Sequence, residues 1–249
     1  MADRKGNETD YIDLANKYPD IDFNLIGGFE AMGEGGPHLG YWPGTDESGV
    51  TVGLGIDLAW TNLKRFNLSA ALKTKLAPYT ITQGKDSQGR SIEIEGPIGT
   101  GAKQIVNKLP RYPGEPQKHR RNLVLTDSEV NQLNLAKGSM IYNNISNDFA
   151  QLFPNSNTFA NLNPAIKTVI MSLGWQLGEN FLTYKDPKTG EVKTPRLLAK
   201  MKNAVLNTND WDPFIEELKT GQWSDSDRRE LEGLYLENKL KGNVNGKTR

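Results

Sequence analysis

Acid–base side chains gather early in this sequence. Glu30 closes an apolar run with helical spacing, DFNLIGGFEAM at Asp22 to Met32. Glu34, Asp46 and Glu47 follow in a stretch rich in glycine and proline. Thr51 and Asp57 then bracket the glycines of VTVGLGIDL, Val50 to Leu58. A protonatable carboxyl beside a second oxygen-bearing group is the equipment of glycosidic cleavage. One donates a proton to the leaving oxygen; the other holds a water or balances the developing positive charge. Thr51 and Asp57 are six residues apart. A straight strand therefore puts both on one face, and a bend at Gly53 or Gly55 brings them closer. A carboxyl at the C-terminal end of a helix also meets the negative end of the helix dipole, which favours its protonated form.

Each of these residues also has a plainer reading. Glu30, near a helix end, suits a solvated surface position, Asp57 suits the cap of a following helix, and Thr51 is a β-former. The glycines of VGLG are not followed by GK[ST], so they form no P-loop. His38 and His119 stand alone, outside any metal-binding spacing. Ser48 is not in a GxSxG elbow, and no EF-hand spacing occurs. The chain has no cysteine, which removes disulfides, thiol nucleophiles and Cys-type metal sites. No metal or organic cofactor is expected.

The elements that must position these residues follow from periodicity and punctuation. Helices are expected over 11–17, 22–32 with Asp22 as cap, 62–76, and briefly 102–108. A capping box, TDSE at Thr126 to Glu129, opens a helix running to about 149. Asn163-Pro164 opens the most apolar one, expected to be central and to bury Trp175. Further helices are expected over 195–206, 212–219 and 224–240, the last capped by Ser224 or Asp225. Residues 80–98 alternate in the strand period around KDSQG and read as a hairpin. Segment 33–49 reads as loop, and 183–194 as a loop or hairpin around DPKTGE. The class is α+β, with a small N-terminal β region and a larger helical lobe. Tyr41 and Trp42 lie between Glu30 and Thr51 in sequence, which makes them candidates to line a sugar groove.

Of 249 residues, 30 are Lys or Arg and 30 are Asp or Glu, giving zero formal net charge. Nucleic-acid binders carry a basic excess, so no nucleic acid is expected as partner. The polar first residues, without a following apolar core, predict no signal peptide. Apolar stretches are too short for a membrane span.

Several segments resemble one family. LIGGFE at Leu25 to Glu30 resembles the helix before the catalytic glutamate of phage-type lysozymes. LGYWPG at Leu39 to Gly44 follows, then SGVTVGLGIDL at Ser48 to Leu58, which looks like the pesticin branch of lysozyme-like toxins. Phage lysozymes order the set Glu, Asp, Thr, whereas the pesticin branch orders it Glu, Thr, Asp. Glu30, Thr51 and Asp57 match the second order. LTDSEVNQL at Leu125 to Leu133, LNPAIKTVIMSLGWQLG at Leu162 to Gly178, and the RRxxE-type helix in WSDSDRRELEGLYL at Trp223 to Leu236 extend the likeness. Glu34-Gly35, with Tyr41 downstream, fits a further family spacing, so Glu34 competes with Glu30 for the acid role. Placement on a helix favours Glu30, because a preorganised acid works better than a mobile one.

The resemblance implies a lysozyme-like catalytic domain over 22–240 with an insertion at about 79–117, between an N-terminal extension, 1–21, and a polar tail, 241–249. It implies a muramidase that hydrolyses the β-1,4 bond between N-acetylmuramic acid and N-acetylglucosamine, with Glu30, Thr51 and Asp57 as catalytic residues. Peptidoglycan is then the partner and a monomer is expected. An antibacterial effector is the expected setting: made in the cytoplasm, delivered by a secretion apparatus to a target's periplasm or wall, and restrained by an immunity protein. The alternatives are a phage endolysin, a lytic transglycosylase, or a binding or structural domain that kept the fold and lost the chemistry.

Overall fold

The computed structural model describes residues 11–30, 38–107, 123–154, 158–178, 181–183 and 195–242. It is mostly helical with a small antiparallel strand content, compatible with the α+β class. The chain divides into two compact units, residues 1–17 with 27–137 and residues 18–26 with 138–249.

The first unit contains helix α1 (Ile12–Lys17), the end of α2 (Phe23–Glu30), strands β1 (Thr51–Val52) and β2 (Ile56–Asp57), α3 (Ala70–Leu76), β3 (Thr82–Lys85), β4 (Ser91–Ile94), α4 (Gly99–Asn107), and the first part of α5 (Asp127–Leu152). Asp22 starts α2 as expected, its Oδ1 accepting from the Asn24 N–H at 3.1 Å. The segment expected to bend at Gly53 or Gly55 does so as a full hairpin, with Thr51 opposite Asp57 and Val52 opposite Ile56. Gly53 and Gly55, at φ of 57° and 66°, supply the left-handed turn that reverses it. Val50, Val52, Leu54, Ile56 and Leu58 are all buried there. Tyr41 extends the pairing through mutual backbone hydrogen bonds with Thr51.

One helix was expected over 62–76, but the chain makes two starts. Asn62 caps a 3-10 turn, Leu63–Arg65, and Ser69 caps α3. Each cap side chain accepts a backbone N–H, at Lys64 and Leu72, and so competes with a continuous helix. The β3–β4 hairpin forms where expected, and its tight turn is held by Asp86, which accepts from the Gln88 and Arg90 amides. Both of its faces are largely exposed. The capping box is present, with Thr126 N–H donating to Glu129 at 2.9 Å and Glu129 N–H donating to Thr126 Oγ1 at 3.3 Å.

The second unit is built on the rest of α5, α6 (Pro164–Leu177), α7 (Pro195–Asn203), α8 (Asp212–Thr220) and α9 (Ser226–Gly242). Every residue of α6 from Ala165 to Trp175 is buried, as its apolar sequence requires. Asn163 caps α6 through the Ala165 amide, and Pro164 fills the first turn. The expected 195–206 helix leaves α geometry after Asn203 and widens into a π turn over Ala204–Thr208. Inside this unit lies a buried ionic knot. Glu232 is paired with both Arg228 and Arg229 and accepts from the Ser172 hydroxyl. The second loop expectation, at 183–194, falls almost wholly outside the described residues.

Candidate active site

Glu30, Thr51, Asp57 and Tyr41 belong to the first unit and converge on the β1–β2 hairpin. Glu30 is the last residue of α2 and is partly exposed. Its carboxylate lies against Gly55, so closely that a β-carbon at that position would collide with Glu30 Oε2. Gly55 is therefore required twice, for its positive φ and for the approach of the acid. Thr51 and Asp57, as cross-strand partners, present their side chains on one face of the hairpin.

Asp57 is held rigidly. Both carboxylate oxygens accept from the Gly49 N–H, at 3.2 and 3.0 Å, and Oδ1 also accepts from the Ala59 N–H at 3.0 Å. It thus caps the 3-10 turn Leu58–Trp60, which was its plainer reading. Capping does not exhaust it, since a carboxylate offers about four acceptor sites. Burial pushes the Asp57 pKa up, against the two backbone N–H groups and the positive field of Lys137, which pull it down. Burial, then the negative fields of Glu30 and Asp57, push the Tyr41 phenol up. Tyr41 therefore feels both carboxylates and remains a neutral hydroxyl donor at ordinary pH.

Thr51 is 5% exposed, and its hydroxyl has no protein partner among the described residues. A buried hydroxyl in that condition calls for a partner from solvent or ligand. It lies on the hairpin face that it shares with Asp57.

The remaining expectations separate. Asp46 and Glu47 stay exposed in their loop. Glu34 and His119 lie outside the described residues. His38 approaches the Leu125 carbonyl and Asp127, away from the carboxylates of the hairpin. Among the described residues, no three His, Cys, Asp or Glu side chains gather to hold a metal ion, and no helix is long and apolar enough to cross a membrane. Trp42 donates its indole N–H to the Thr45 carbonyl at 3.1 Å, and Lys103 stands 5.3 Å from its ring. Trp175 is in the core, as expected.

Three further residues bear on the hairpin and its flank without having been singled out in the sequence. Asn134 on α5 accepts from the Leu54 amide at 3.0 Å and so anchors the hairpin turn from 80 residues away. Lys137 follows one helical turn later. Neither carries a local sequence signal. Trp60 did carry one, an aromatic three residues after Asp57. It is 50% exposed, and its indole N–H is tied to the Glu47 carbonyl at 3.0 Å. With its polar atom satisfied, what it offers outward is an apolar ring face.

The perturbed Asp57 has a stability signature. Its folded pKa lies above the unfolded value, so the fold favours the protonated form. That contribution is present below the unfolded pKa and is lost as pH rises through the folded one. Asp57→Asn keeps an acceptor for both backbone N–H groups but has no charge to bury. The variant should therefore gain stability relative to wild type as pH rises from about 3 to about 7. Thermal melts of both proteins across that range check this; a constant difference would refute it.

Neither a protein-family model nor a curated protein sequence matches the chain.

Proposed function

We propose that the chain is a muramidase with a lysozyme-like fold, hydrolysing the β-1,4 bond between N-acetylmuramic acid and N-acetylglucosamine in peptidoglycan. The observation that carries this reading is the convergence of Glu30 on the hairpin turn whose two strands present Thr51 and Asp57 as partners. Glu30 protonates the leaving oxygen. Asp57, fixed by Gly49 and Ala59, balances the oxocarbenium ion or orients water, and the Thr51 hydroxyl holds that water. Tyr41, facing both carboxylates, donates to one of them or to substrate. The pesticin-like order of the three residues supports an antibacterial effector acting on a competitor's wall.

Mass spectrometry of the products released from purified peptidoglycan tests the reaction. Hydrated reducing ends support a muramidase. Ends in 1,6-anhydro-muramic acid would assign a lytic transglycosylase, and no products a binding domain. Production in a bacterium with and without an export signal tests the setting. Lysis only on export, suppressed by a neighbouring gene's product, supports an effector with an immunity partner. Lysis on export without such suppression favours an endolysin.

Trp42 and Trp60 are assigned to sugar contact. Trp42→Ala and Trp60→Ala should each raise KM for glycan strands roughly two- to tenfold, with kcat little changed, as expected for lost aromatic packing. If Trp42→Ala leaves both constants untouched, its place in the groove is wrong, and the same holds for Trp60.

A further inference from the structure

Beside α3 and the base of the β3–β4 hairpin, the first unit holds a cavity of about 340 Å³. Leu63, Ala77 and Ile81 give it an apolar floor, and two cations, Lys64 and Lys73, line it with no acidic residue among the lining groups. Neither lysine has a carboxylate partner among the described residues. The other donors are largely spent. Asn62 and Gln83 both donate to Glu93 Oε1, at 2.6 and 3.4 Å. Thr74 donates to the Ala70 carbonyl at 3.0 Å and Thr80 to the Ala77 carbonyl at 3.4 Å. Among the described residues, the pair of ammonium groups and the Thr82 hydroxyl have no partner.

Donors without a matching acceptor, set over an apolar floor, select a ligand group that only accepts: a carboxylate on a short aliphatic chain. Two backbone hydrogen bonds fix this cavity to the candidate active site. Ile81 N–H donates to the Thr61 carbonyl at 3.2 Å, and Gly96 N–H donates to the Ala59 carbonyl at 2.9 Å. Ala59 and Thr61 lie two and four residues beyond Asp57. A ligand in the cavity would therefore sit against the chain entering β3, which is hydrogen-bonded to the segment following Asp57.

We infer that this cavity binds the carboxylates of the peptide stem that peptidoglycan glycan strands carry. The inference rests on the muramidase reading for the identity of the ligand but not for the presence of an anion site. Lys64 and Lys73 hold one or two stem carboxylates, Thr82 adds a hydrogen bond, and the floor accepts the aliphatic parts of alanine and γ-linked glutamate. The insertion bearing β3 and β4 then serves substrate selection, favouring strands with stems over stripped glycan.

The test uses the full chain and the free tripeptide L-Ala-γ-D-Glu-meso-diaminopimelate, followed by calorimetry and by amide chemical shifts. Saturable binding with shifts confined to residues 62–64, 73–77 and 80–83 is expected. The double variant Lys64→Gln/Lys73→Gln should bind roughly tenfold more weakly, as expected for loss of charge-assisted hydrogen bonds. Both side chains lie at the surface, one exposed and one partly so, and their exchange leaves the core intact. Unchanged affinity in the double variant overturns the proposal. Equal affinity for inorganic phosphate overturns the assignment to the stem and leaves an unselective anion site. In turnover, the double variant should raise KM for stem-bearing strands and not for strands stripped by an amidase; an equal rise for both also overturns it. The titration requires no catalysis, so loss of the muramidase reading and loss of the stem site are separate results.

Discussion

Glu30→Gln is expected to lower the release of reducing ends from purified peptidoglycan by roughly 10²–10⁴-fold, the range of a lost general acid. The substitution keeps the length and most of the polarity of the side chain, and Glu30 is a partly exposed helix-end residue, so the melting temperature should hardly move. Activity is lost because an amide has no proton to give at neutral pH. Gly55→Ala is the companion measurement. It leaves every titratable group in place but puts a methyl group where Glu30 Oε2 now lies, at a φ of 66° that alanine tolerates poorly. Stability should fall by roughly 1–2 kcal/mol, while turnover falls far more than that loss explains. Full activity in Glu30→Gln would remove Glu30 from the acid role, and Glu34→Gln would then be the variant to measure. Full activity in Gly55→Ala alone would show that the contact between α2 and the turn is incidental.

What was legible in the sequence was local. The Thr126–Glu129 box, the Asn163-Pro164 start, the Asp22 cap and the KDSQG turn each involve residues within a few positions of one another. Propensity and capping act at that range. The catalytic candidates came from a different source, the resemblance of SGVTVGLGIDL to the pesticin branch; spacing alone only put Thr51 and Asp57 on one face. The bend at Gly53 or Gly55 was expected, and it is the full reversal of a hairpin. Alternation over VTVGLGIDL suits a single strand as well as a hairpin, and only the left-handed glycines decide between them. The two-start segment 62–76 was misread because a capping asparagine or serine inside a helical pattern looks like an ordinary polar position. Asn134 and Lys137 were invisible. They reach the hairpin from a distant helix, and nothing in a polar residue on a long helix announces which backbone amide it will satisfy. Trp60 stands three residues after Asp57, but nothing local in the sequence tells whether such a ring is buried or exposed.

Glu232→Ala is expected to destabilise the second unit by about 3–5 kcal/mol, the cost of breaking a buried ion pair from one side. Glu232 is fully buried, and Arg229 is 1% exposed beside it. Arg228 Nε donates to Glu232 Oε1 at 3.2 Å, and its Nη2 donates to the Ser172 carbonyl at 3.2 Å and to the Ser172 hydroxyl at 3.1 Å. Arg229 contacts the other Glu232 oxygen and the Gln176 amide oxygen. Glu232 therefore bears on two guanidiniums at once, with Asp225 adding its negative field at Arg229, in a site from which water is largely excluded. Its loss leaves both cations buried and the Ser172 hydroxyl short of an acceptor. Since Ser172 lies on α6, the best buried helix of the unit, the damage should spread through the packing of α6 against α9. Glu232→Gln separates the two contributions. It retains one accepting oxygen but removes the charge and turns the second acceptor into a donor, so it should fall between wild type and Glu232→Ala. Urea unfolding of the three proteins measures this. A cost below about 1 kcal/mol for Glu232→Ala, the range of an exposed pair, would mean that the knot is hydrated in solution and that α9 is held by its apolar contacts alone.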